Sequence, residues 1–68
     1  MTYTAVVKDL GDAWIGWIEE VPGVNCQEAT YDELLKSLSV TLREAIDFNR
    51  EEALSMAGTN YQEKVISL

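Results

Sequence analysis

The chain predicts an α+β fold: a small three- to four-stranded, mainly antiparallel sheet with one long helix packed on one face, in the order β-β-β-α-β. Three observations carry this reading. Short runs rich in β-branched and aromatic residues lie at Tyr3 to Lys8 and Ala13 to Glu19, either side of the turn-forming Asp9-Leu10-Gly11-Asp12. A second break at Val21-Pro22-Gly23 precedes a short apolar resumption. Thr30 is then followed three residues later by Glu33, the spacing of a capping box, ahead of a long stretch without Gly or Pro.

The first two strands form a hairpin, because Gly11 tolerates positive φ and the flanking aspartates bond locally. Along the second strand Ala13, Ile15 and Trp17 point one way and Trp14, Gly16 and Ile18 the other. Both faces are apolar. A single helix covers only one, so the other meets solvent, another copy or a different protein, unless a twist or bulge sends both tryptophans into one core.

The third strand is Val24 to Gln27 and the helix runs from Tyr31 to about Met56. Leu34, Leu35, Leu38, Leu42, Ala45, Ile46 and Ala53 recur at three- and four-residue steps as its buried stripe. Such a helix is about 40 Å long against about 23 Å for a seven-residue strand, so it overhangs the sheet and leaves Phe48 and Leu54 without a partner in one subunit. The tail Asn60 to Leu68 reads as a fourth strand, apolar at Tyr61, Val65, Ile66 and Leu68, pairing within the subunit or with a second copy. Residues 1–68 form one domain, and the oligomer contacts expected are Trp14, Phe48, Leu54 and Val65. A chain of this length hides about 60% of its unfolded surface, which favours self-association as a dimer or larger.

Charge and composition narrow function. With 12 Asp and Glu against 5 Lys and Arg, a net charge of -7 and 47% hydrophobic residues, the chain is too apolar for a disordered acidic tail. It is also too acidic to bind nucleic acid directly. No apolar run suits a membrane span, and Met1-Thr2-Tyr3-Thr4 lacks a signal-peptide start, so a cytoplasmic protein is expected. The single Cys26 has no intrachain partner and reads as a small packed residue.

The absence of histidine excludes His-based triads, imidazole bases and His metal ligands, and the four glycines follow no phosphate-binding order. No enzyme and no cofactor is expected. Glu19, Glu20, Asp32 and Glu33 bracket the proline turn. They read as a strand end and a first helical turn, where acidic residues favour the macrodipole, before they read as a metal or acid/base site. Asp32 with Lys36, Arg43 with Asp47 and Asp47 with Arg50 are spaced for weak helical ion pairs. Glu51 and Glu52 oppose the helix dipole and read as attraction for a basic partner.

The residues Tyr3-Thr4-Ala5-Val6-Val7, Trp14-Ile15-Gly16-Trp17-Ile18, Glu20-Val21-Pro22-Gly23 and Thr30-Tyr31-Asp32-Glu33, in this order over roughly residues 3 to 48, resemble the N-terminal domain of HicB-family antitoxins. The resemblance implies three strands, a helix and a further strand. It also implies a small basic partner, a HicA-type mRNA-cleaving ribonuclease whose active site the antitoxin blocks. Two departures stand out. Glu28 replaces a usual glycine before the capping threonine, and Met56 to Leu68 are too few for the DNA-binding domain that many relatives append. The expected partner surface comprises Trp14, Trp17, Glu19, Glu20, Asp32 and Glu33. The other class of function is a stand-alone homo-oligomeric scaffold or small binding module of the same fold, without a toxin.

Overall fold

The computed structural model describes residues 2–68. Strands β1 (Ala5–Asp9), β2 (Trp14–Ile18) and β3 (Asn25–Glu28) form one antiparallel sheet in the order β1-β2-β3, and helix α1 spans Tyr31–Ala57. The protein is therefore of the α+β class, a three-stranded sheet followed by one long helix that packs on it.

Turn chemistry fixes the strand order. Asp9 Oδ1 accepts the Gly11 N–H at 2.8 Å, and Gly11 adopts φ 95°, so the chain reverses into β2 with Asp9 opposite Trp14. At the second reversal the Val24 N–H donates to Val21 O at 3.4 Å across Pro22 and Gly23, the latter at φ 91°. Proline at the second position and a positive-φ glycine at the third are what a type II turn requires. β3 then returns with Asn25 opposite Trp17 and Glu28 opposite Trp14.

Thr30 caps the helix, its Oγ1 accepting the Glu33 N–H at 3.2 Å while its own proton goes to Glu33 Oε1 at 3.1 Å. The capping box thus closes hydroxyl to carboxylate. At the other end Gly58, at φ 70°, donates its N–H to Leu54 O at 3.3 Å and stops the helix.

α1 runs alongside β2 in the same direction. Trp14 meets Tyr31 edge to face with ring centres 5.3 Å apart, and Leu34 and Leu38 lie over Gly16. The buried core is small: Ile18, Val24, Leu34 and Leu38, flanked by Tyr3, Val7, Trp14, Val21, Cys26, Leu42 and Ala45. Past Ala45 the remaining 12 residues of α1, about 18 Å, extend beyond the sheet. The Cα radius of gyration of 15.1 Å, against about 11 Å for a compact chain of this length, records that overhang and the tail.

The expected fourth strand is not formed in the subunit: residues 60–68 take part in no ladder and are exposed throughout. The tail starts at the overhanging end of the helix, and its Glu63 lies against Arg50 on that overhang rather than against the sheet. The predicted i,i+4 pairs on α1 also do not close to ion-pair distance. Among the described residues the only ion pair is Arg50 with Glu63, at 3.8 Å and solvent-exposed, a geometry of little energetic weight. No helix among the described residues is long and apolar enough to cross a membrane.

Candidate functional site

The alternation in β2 places its two tryptophans on opposite faces. Trp14, Gly16 and Ile18 turn toward α1, where Gly16 and Ile18 are buried and Trp14 is half-buried against Tyr31. Ile15 and Trp17 turn to the open face, where Trp17 is 41% exposed. Val6 lies opposite Trp17 on β1 and Asn25 opposite it on β3, while Lys8 and Gln27 flank Ile15. This makes an apolar centre, Val6, Ile15 and Trp17, with a polar margin. A large indole held on a rigid strand in that setting matches the anatomy of a protein-binding surface.

The acidic residues do not gather as their positions around the proline turn led us to expect. β3 carries the chain back along the full length of β2, so the helix begins at the Trp14 end of the sheet while Glu19 and Glu20 lie beyond Ile18 at the other. The length of β2, about 13 Å, separates the two pairs. Among the described residues no cluster of three or more carboxylate or thiol groups is placed to hold a metal ion.

Each acidic residue has a local setting instead. Glu19 continues the alternation of Ile15 and Trp17, and its N–H extends the ladder to Thr4 O at 2.9 Å. Glu20 accepts the Thr4 N–H at 2.7 Å through Oε1, and that hydrogen bond holds its carboxyl below the ordinary glutamate range. Asp32 and Glu33 occupy the first turn of α1 and are exposed, Glu33 within the capping box. Cys26 is half-buried against the core, with Sγ 3.5 Å from Thr41 Oγ1.

Of the expected oligomer contacts, Phe48 is 61% exposed on the overhang, Leu54 is half-buried near the helix end and Val65 is 92% exposed in the tail. Trp14 stands apart from these three, inside its own subunit between sheet and helix.

Sequence reasoning missed one feature, an apolar groove between β1 and α1. The helix rests mainly on β2 and β3 and leaves the Ala5 end of β1 open on its inner side, so that Tyr3, Ala5, Ile18, Leu35, Leu38, Ser39 and Leu42 line an open cleft of about 250 Å³. The signal present in the sequence is the adjacent pair Leu34 and Leu35, which makes the apolar arc of the helix wider than two short strands can cover. No known protein family, curated protein or solved structure matches the chain.

Proposed function

We propose that this protein is an antitoxin-like inhibitor of the HicB type that binds a small basic ribonuclease and masks its RNA-contacting surface, and that it does so as a homodimer. The observation that carries the reading is the open sheet face, where Trp17 stands exposed over Val6 and Ile15. An exposed aromatic on a preorganised strand anchors a protein partner, and a net charge of -7 steers a cationic one. With no histidine, the chain suits a role of occlusion better than one of catalysis.

The partner surface is centred on Trp17 and Glu19, with Glu20 at its edge. Asp32 and Glu33, at the far end of the sheet, contribute long-range attraction only. The test is an RNA-cleavage assay at low and high salt with the product of the neighbouring reading frame, where that frame encodes a HicA-type ribonuclease. The protein should suppress cleavage stoichiometrically and associate more slowly as salt rises. Glu19→Lys should weaken inhibition more than Asp32→Lys. Absence of binding at low salt, or tight binding of this chain alone to RNA, would reject the antitoxin reading; the former would leave a self-associating scaffold.

A further inference from the structure

We propose that Trp17 and Glu19 form an arginine-binding site, in which a guanidinium of the cationic partner stacks flat on the exposed indole and turns its N–H edge to the carboxylate. The proposal rests on the preceding reading for the kind of partner and names the side chain that this face selects.

Strand parity and hydrogen bonding assemble the site. Ile15, Trp17 and Glu19 share the open side of the sheet, so the carboxylate stands two residues, about 7 Å, along the strand from the indole. Asn25 faces Trp17 from β3. The Ile18 N–H donates to Val24 O at 3.2 Å, so the neighbouring Trp17 and Asn25 are a non-hydrogen-bonded pair, the kind in which opposed side chains approach most closely. Asn25 Nδ2 donates to Gly23 O at 3.3 Å, which leaves its Oδ1 as an acceptor beside the ring. The 41% exposed indole thus has a carboxylate on one side and a carboxamide oxygen on another.

No cation of the sheet neutralises Glu19. Among the described residues its carboxylate enters no ion pair. Lys8, the only cation in the three strands, stands at the level of Ile15, about 13 Å along the strands from Glu19.

Desolvation decides what covers Trp17. Any group laid over the indole also takes water from Glu19 on the same face, and a carboxylate stripped of water without a counter-charge is costly. An aliphatic or aromatic anchor leaves that charge unpaired. A nucleobase stacks on an indole but brings its phosphate toward a chain of net charge -7. A lysine supplies charge, yet its ammonium is compact, strongly hydrated and has no plane to lay on a ring. The guanidinium is flat, weakly hydrated and carries donors around its rim, so its face meets the indole while its edge bonds Glu19 and Asn25 Oδ1.

The test is an NMR titration of the isotope-labelled 68-residue chain with hexa-arginine and with hexa-lysine at low salt, reading the two indole N–H resonances separately. Hexa-arginine should shift the Trp17 resonance and not that of Trp14, and should bind at least about fivefold tighter than hexa-lysine, which carries the same charge. Glu19→Gln should weaken hexa-arginine binding at least about threefold, and Asp32→Asn, an equal loss of charge at the far end of the sheet, less. Trp17→Leu should erase the preference for arginine, with its helix content by circular dichroism retained. Equal affinity for the two peptides, or shifts that miss Trp17, overturns the proposal. So does a wild-type dimer that Trp17→Leu converts to a monomer in sedimentation, which assigns the face to a second copy. If the chain inhibits a HicA-type ribonuclease but shows no arginine preference, the antitoxin reading stands and the arginine site falls; an arginine preference at Trp17 without inhibition keeps the site and removes the toxin.

Discussion

Leu38 lies directly over Gly16, so close that a Cβ built on the glycine would stand 2.9 Å from Leu38 Cδ1. The same Cβ would meet Val6 O at 3.1 Å and Leu34 Cδ2 at 3.2 Å. Leu34 and Leu38 are buried and cannot swing away, and Val6 O belongs to the strand ladder. Gly16→Ala should therefore destabilise the fold by about 1–3 kcal/mol, despite the smaller unfolded-state entropy of alanine. Urea denaturation checks it, and the cost should shrink in a Leu38→Val background, because the two positions share one space.

Thr30 accepts the Glu33 N–H and donates a hydrogen bond from its hydroxyl to the Glu33 carboxylate. Thr30→Ala removes both bonds and should lower stability by about 1 kcal/mol, with Glu33→Ala costing less. Thermal melts of the two variants give the comparison, and equal melting temperatures for wild type and Thr30→Ala would place the helix start elsewhere.

Glu20 ties the turn after β2 to the start of the chain through the Thr4 N–H. That bond favours the ionised carboxyl and depresses its folded-state pKa. The sign follows: the contribution is fully present above the ordinary glutamate pKa and is lost as pH falls through the lower folded value. Wild type should melt above Glu20→Gln at neutral pH, and the gap should close in acid. A gap independent of pH would show that the charge is irrelevant to the contact.

The two tryptophans should separate stability from binding. Trp14 is wedged between the sheet and Tyr31, so Trp14→Ala should cost about 2 kcal/mol or more. Trp17 contacts its cross-strand neighbours but has solvent above it, so Trp17→Ala should cost under about 1 kcal/mol. Denaturation midpoints of the two variants check the order.

Local signals made much of this fold legible. Asp9 and Gly11, Pro22 and Gly23, and Thr30 with Glu33 each act within four residues, so the hairpin, the type II turn and the helix start followed from them to within a residue or two. The strict parity of β2 put Trp14 and Trp17 on opposite faces. Which face the helix covers depended on the bare backbone of Gly16 accepting Leu34 and Leu38, a three-dimensional fit with no trace in periodicity. The supposed acidic cluster failed for a related reason. Nearness in sequence around Pro22 ignored β3, which moves the helix start to the far end of the sheet. The tail has the composition of a strand, but residues 60–68 pair with no edge of their own sheet.

The central claim is that the Trp17 face, left uncovered by the helix, is where a basic partner sits. The most direct measurement is the fluorescence of two single-tryptophan proteins, Trp14→Phe and Trp17→Phe, titrated with a HicA-type ribonuclease whose own tryptophans are replaced by phenylalanine. The protein retaining Trp17 should show a blue shift in emission that saturates at a fixed stoichiometry, while the protein retaining Trp14, already packed on Tyr31, should change little. Binding without any change at Trp17, or with the change confined to Trp14, would contradict the account.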